Sequence, residues 1–179
     1  TAQGYVEQSL ALSRRLHYDY GIARAMQILG NLAYDQDKIS EARDYFLESL
    51  TRYRALGDQV GIGTMLLNLG SACSVLGDKE TAHIYQQECL SISRAIGHKG
   101  LISTTSRALG LHALAHNQFD QARSYAEESL KITLALGDRS NSGFALLLLG
   151  DIAHAQGQVT QALSYYLQNL EIMVAINYR

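Results

Sequence analysis

The chain contains no proline, so no break in its secondary structure comes from a ring-locked backbone. Corners have to be made by glycine, asparagine or aspartate in short connections. It has only two cysteines, Cys73 and Cys89, and lacks the Cys-x-x-Cys spacing of a metal or redox pair, which leaves ordinary reduced, packed thiols as the expectation. Charged residues make up 18% of the chain and the net charge is −2. Such a balance provides no basic field to draw in nucleic acid or an anionic membrane, so direct nucleic-acid contact is not expected. The longest apolar run, Phe144 to Leu149, falls far short of the roughly 20 residues that cross a bilayer, and the N-terminus lacks a signal-peptide pattern.

What the sequence has is repetition. The pair Leu69-Gly70 returns at intervals of forty residues as Leu29-Gly30, Leu109-Gly110 and Leu149-Gly150. Ala82, Tyr85 and Leu90 return in the same phase as Ala42, Tyr45 and Leu50, as Ala122, Tyr125 and Leu130, and as Ala162, Tyr165 and Leu170. Ala2, Tyr5 and Leu10 keep the register. A period of this size indicates stacked supersecondary units rather than one globular core. The expected organisation is a half repeat over residues 1–19, of which only the second helix is present, followed by repeats at 20–58, 59–98, 99–138 and 139–179. The unpaired leading helix suggests a piece of a longer protein.

Each unit reads as two amphipathic helices, for example Tyr20 to Gln36 and Ile39 to Leu56. Asp37, Gly77, Asn117 and Gly157 mark the corners, where left-handed backbone is expected at a helix end. Beyond them Ser40, Asp120 and Thr160 offer side-chain oxygens near a helix start, and Glu80 a negative charge. The second helices close at Leu56-Gly57-Asp58, Ile96-Gly97-His98 and Leu136-Gly137-Asp138. Gly30, Gly70, Gly110 and Gly150 lie mid-helix, where glycine costs about 1 kcal/mol against alanine. The expected reason is close approach of the paired helix, with Ala42, Ala82, Ala122 and Ala162 opposite. Gly70→Leu is then expected to overpack the hairpin.

Signals for catalysis are weak. His112 and His116 share a helix face, but two ligands do not make a metal site, and no glutamate follows His112 as in a zinc peptidase. Gly61-Ile62-Gly63 has neither a third glycine nor a preceding strand, and no phosphate-loop Gly-Lys-Ser/Thr occurs. Neither an enzyme nor a cofactor is expected, and no metal.

These residues resemble the tetratricopeptide repeat, whose pattern has Leu-Gly in the first helix and alanine, an aromatic and a small residue in the second, here Leu69-Gly70, Ala82, Tyr85 and Cys89. The period is forty rather than 34 residues, Met26, Leu66, Ser106 and Leu146 replace the early tryptophan, and the terminal proline is missing. The longer form is similar to the arrays of bacterial signal-transduction ATPases and LuxR-type transcription regulators, of the animal spindle-orientation adaptor and, less closely, of kinesin light chain.

The resemblance implies an all-α, right-handed superhelical solenoid of antiparallel helix pairs whose first helices line a concave groove. It implies a cytoplasmic scaffold that binds a protein or peptide, within a larger bacterial signalling or transcription-regulatory protein. The groove residues it implies are Arg24, Gln27, Asn31 and Tyr34, then Thr64, Leu67, Asn68 and Ser71. Thr104, Arg107 and Leu111 follow, and then Phe144, Leu147, Asp151 and His154. Asn31 and Asn68 match positions whose amides hold a peptide backbone; the bland alternative is that they satisfy neighbouring turns. Arg107 would anchor a carboxylate, with Tyr34 and Phe144 in apolar contact. The lysines of the chaperone-binding clamp are replaced by Gln27 and Thr104, which disfavours a chaperone C-terminus. Two other readings stand beside this one: a sensor of a small ligand such as an oligosaccharide, and an oligomerisation module. The apolar last helix, Val159 to Ile176, is expected to promote self-association.

Overall fold

The computed structural model describes residues 2–177. They form helices α1 (Ala2–Arg15), α2 (Asp19–Asp35), α3 (Ile39–Leu56), α4 (Gln59–Val75), α5 (Lys79–Ala95), α6 (Lys99–Ala115), α7 (Phe119–Leu136), α8 (Arg139–Ala155) and α9 (Val159–Asn177), with no strand among the described residues. The chain divides into two compact units, residues 1–97 and 98–179.

In the first unit α2 pairs with α3 and α4 with α5, while α1 packs on α2 and α3 on α4. Two clusters fill it. Leu10 joins Ile22, Ala25, Met26 and Leu29; Phe46, Leu50 and Tyr53 of α3 meet Met65, Leu66 and Leu69 of α4 and Cys89 of α5. Burying a side chain the size of Phe46 contributes about 1.5–3 kcal/mol. The second unit pairs α6 with α7 and α8 with α9, around Ala122, Ala126, Leu148, Leu149 and Ile152.

The corners explain how helices this close can follow one another without proline. Asp37, Gly77, Asn117 and Gly157 have φ of +62°, +86°, +57° and +73°. At each, the amide one residue on returns to a helix carbonyl: Lys38 to Ala33, Asp78 to Cys73, Gln118 to Ala113 and Gln158 to Ala153, all at 2.9 Å. This six-to-one closure ends a helix in one left-handed residue. The same device operates at His17 (φ +51°), where the amide of Tyr18 returns to the carbonyl of Ser13 at 2.9 Å, and α1 ends at Arg15.

Two expectations about local detail are corrected. Ser40 and Asp120 do not cap; the N-cap residues of α3 and α7 are Lys38 and Gln118, without a side-chain bond. Capping is done instead by Asp58, Asp78, His98 and Asp138, which accept from the amides of Gly61, Thr81, Leu101 and Asn141. The mid-helix glycines do face the paired helix, but alanine is not the nearest partner. A Cβ on Gly30 would meet the Phe46 ring at 2.5 Å, and one on Gly150 would run into the Tyr166 ring. On Gly70 and Gly110 it would meet Gln86 and Leu148 first, with the carbonyls of Ala82 and Ala122 next at 3.3 Å. The close approach therefore makes room for the side chain sixteen residues on, Phe46, Gln86 or Tyr166, in three of the repeats.

The cysteines act as small packing residues. No disulfide joins them. Cys89 donates from Sγ to the carbonyl of Gly63 at 3.1 Å, as Ser49 donates from Oγ to Ala23 at 2.8 Å one repeat earlier. Burial pushes the Cys73 thiol up, which keeps it protonated and unreactive.

Candidate functional site

The fifteen residues named from the sequence fall into two groups, on α2 and α4 of the first unit and on α6 and α8 of the second. None of them is buried; each is half-buried or exposed, while their neighbours Leu29, Leu69, Leu109 and Leu149 form core. Helical spacing explains the division, since three to four residues separate members of one face.

In the first unit the structure brings Asn31 and Asn68 together. Asn68 donates from Nδ2 to Oδ1 of Asn31 at 3.2 Å, bridging α2 and α4. Each amide carries one acceptor oxygen and two donor hydrogens. The bond therefore leaves Oδ1 of Asn68 and the Nδ2 group of Asn31 available to a ligand. Both line a pocket of about 190 Å³ with Tyr34, Asp35, Phe46 and Ser71. Ser71 spends its hydroxyl proton on the carbonyl of Leu67 at 3.1 Å. Thr64 similarly donates to Val60.

Further along α2, Arg24 donates from Nη1 to Oε1 of Gln27 at 3.0 Å, and the same oxygen accepts from the Tyr53 hydroxyl at 3.2 Å. Tyr20 meets the Tyr53 ring edge-on, centroids 6.0 Å apart. Burial, then Tyr20, pushes the Tyr53 phenol above its usual value against the opposing influence of Arg24, so Tyr53 is a donor at neutral pH. A larger recess of about 400 Å³ opens between α1 and α2, lined by Tyr5, Tyr18 and Tyr20 with Ser9, Ser13 and Arg24.

In the second unit Arg107 lies over the Phe144 ring, 5.4 Å from its centroid. Its Nε is shut from solvent without a hydrogen-bond partner, and burial alone pulls the guanidinium below its usual pKa. It remains charged, since arginine starts far above neutrality. Leu111, Phe144 and Leu147 are exposed apolar residues of this unit. Asp151 accepts from the Tyr166 hydroxyl at 2.9 Å and so is partly engaged within the hairpin. Thr104 donates to the carbonyl of Gly100, and His154 is exposed near the end of α8. His112 and His116 stack with centroids 4.3 Å apart, and the His116 Nδ1 lies 2.9 Å from the carbonyl of His112.

Two lining residues were not foreseen. Phe46 was not singled out in the sequence, and its buried ring forms part of the pocket wall. Asp35 was passed over although a signal existed: the residues forty, eighty and a hundred and twenty further on are Val75, Ala115 and Ala155, so this repeat alone has an acid there.

The sequence model of the tetratricopeptide repeat matches residues 29–95 and 61–135, together more than half of the chain. No curated protein matches significantly by sequence. Among solved structures, the chain is similar to BtubC of P. vanneervenii, with a TM-score of 0.80 at 18% identity, over 98% of this chain and 76% of that one. It is similar to aspartyl phosphate phosphatase F of Bacillus subtilis, with a TM-score of 0.78 at 15% identity, over 88% of this chain and 42% of that one. A third likeness is to a signal transduction ATPase with a tetratricopeptide repeat sensor from Pyrococcus horikoshii, with a TM-score of 0.78 at 20% identity, over 98% of this chain and 27% of that one. At these identities the likenesses show the fold, an all-α helical repeat, and the chain spans less than half of the last two proteins.

Proposed function

The chain belongs to the tetratricopeptide repeat family, and from that premise we propose that it is a non-catalytic scaffold that binds a protein or peptide segment along the first helices of its repeats. The observation that carries this reading is the Asn31–Asn68 pair. Two amides on successive first helices are bonded to each other at 3.2 Å, with one acceptor and one donor group left over beside a pocket. A peptide backbone supplies the complementary pair, one N–H and one C=O per residue. Arg107 offers a second anchor: a half-buried guanidinium stacked on Phe144 that lacks a carboxylate partner among the described residues and suits an acidic group on the ligand.

The P. horikoshii protein carries its tetratricopeptide repeats as a sensor. A similar place, as the interaction region of a larger cytoplasmic, bacterial signalling or transcription-regulatory protein, is part of this proposal.

The test is a pull-down from lysate of the source cells with the wild-type chain beside an Asn31→Ala/Asn68→Ala/Arg107→Ala variant, followed by mass spectrometry. Proteins retained by the wild type and lost by the variant support the reading and identify the partner. Equal retention of every captured protein removes these residues from the interface.

A second reading, a small-ligand sensor, draws on the tyrosine-lined recess between α1 and α2, since aromatic faces stack on sugar rings and planar ligands. It predicts that a panel of oligosaccharides raises the melting temperature of the wild type and not of a Tyr5→Ala/Tyr20→Ala variant.

A further inference from the structure

Asp35 sits where a carboxylate is at a disadvantage. It is the last residue of α2, which has no basic residue in its final turn, so its charge lies at the negative end of the helix dipole. Among the described residues it takes part in no ion pair, although Lys38 stands three residues on. The other repeats place Val75, Ala115 and Ala155 at this position.

No cation neutralises Asp35 within the pocket that it lines. It lines the pocket of about 190 Å³ together with Asn31, Tyr34, Phe46, Asn68 and Ser71, and none of these is a cation. Ser71 has committed its proton to Leu67, which leaves its oxygen as an acceptor only. Oδ1 of Asn68 is a second uncommitted acceptor once Nδ2 is bonded to Asn31. Tyr34 contributes an aromatic ring, whose face attracts cations. At about 30 Å³ per water the pocket has room for roughly six waters, which is the scale of one long side chain rather than of a folded element.

We propose that this pocket receives the cationic side chain of a lysine or arginine from the bound peptide, with Asp35 as its counter-ion. The inference rests on the peptide-binding reading above and adds a residue preference to it. The negative helix end strengthens the attraction, because the same dipole that disfavours Asp35 favours an incoming cation. The asparagine amides hold the backbone while Asp35 selects the side chain.

The test uses the whole chain and three small probes: the N-acetyl N-methylamides of lysine, arginine and the neutral isostere norleucine. Side-chain amide signals of Asn31 and Asn68 are followed by NMR during titration of the wild type, Asp35→Asn and Asp35→Glu. The lysine and arginine probes are expected to bind about fivefold more tightly than norleucine, the order that an accessible ion pair supplies. Asp35→Asn is expected to bring all three probes to the norleucine level, and Asp35→Glu to restore part of the difference. Asp35→Asn is also expected to melt no lower than the wild type, since it relieves the clash with the dipole, so lost binding is not lost folding. Equal shifts with all three probes, or undiminished lysine binding by Asp35→Asn, overturn the inference. A positive pull-down with an indifferent Asp35→Asn refutes the cation preference alone; a pull-down unaffected by the asparagine substitutions refutes the peptide site beneath it.

Discussion

At the scale of single residues, the glycines separate two costs that a sequence cannot tell apart. Gly57 has φ +71° and open space around a Cβ, so Gly57→Ala is expected to cost only the left-handed strain, about 1–2 kcal/mol. Gly30 is helical, and a Cβ there meets Phe46, which is 1% exposed. Gly30→Ala gains about 1 kcal/mol of helix propensity but is expected to lose up to about 3 kcal/mol to overpacking. Gly70→Ala is expected to be milder, since it meets the flexible Gln86 chain at 3.0 Å; Gly70→Leu remains a disruption. Urea midpoints of the four variants check this order. Gln86 has the opposite problem: it is 7% exposed and its Oε1 lacks a hydrogen-bond partner. An unsatisfied buried polar group costs about 1–3 kcal/mol, so Gln86→Leu is expected to raise the urea midpoint.

At the scale of elements, stability resides in the joints as well as in the faces. Loss of the Asp58 cap in Asp58→Ala is expected to destabilise by about 1 kcal/mol. Asp78 and Asp138 are also caps, and their carboxyls are held below the usual value by hydrogen bonds from Thr81 and Asn141. A carboxyl with a lowered folded pKa adds stability that is present above the unfolded value, about 3.9. That stability is lost as pH falls through the folded value. The urea midpoint is therefore expected to drop on acidification below about pH 4. Asp78→Asn/Asp138→Asn, which keeps side-chain acceptors but cannot titrate, is expected to flatten that part of the profile. An unchanged profile in the double variant assigns the acid transition to other groups. The exposed pairs Arg14–Glu48 at 3.7 Å and Arg54–Glu88 at 2.6 Å recur one repeat apart, but pairs of this exposure are worth no more than about 1 kcal/mol.

At the scale of the whole molecule, the last helix stands out. Leu163, Leu167 and Leu170 of α9 are 55%, 51% and 56% exposed, and Val159, Val174 and Ile176 are exposed beside them. Tyr166, Ile172 and Met173 turn inward. Exposed apolar surface of this extent favours association. The chain is expected to self-associate at high micromolar concentration, and Leu167→Glu/Leu170→Glu to reduce it, as read by sedimentation velocity. A wild-type chain that stays monomeric throughout that range refutes the prediction.

Most of the architecture was legible in the amino-acid sequence because it is local and repeated. Hydrophobic spacing determines helices, left-handed-tolerant residues determine corners, and a period of forty residues makes each assignment four times over. The helices α2, α3 and α9 begin or end within a residue or so of the expected bounds. Interactions between helices were decided only in three dimensions. That Gly30 faces Phe46 rather than Ala42 depends on which rotamer fills the gap between two helices. The Asn31–Asn68 bond depends on the separation of α2 and α4, and so does the pocket that both amides line together with Asp35. Sequence periodicity specifies the face on which a residue lies; the distance across to the next helix is set by packing, and hydrogen bonding and charge recognition depend on that distance.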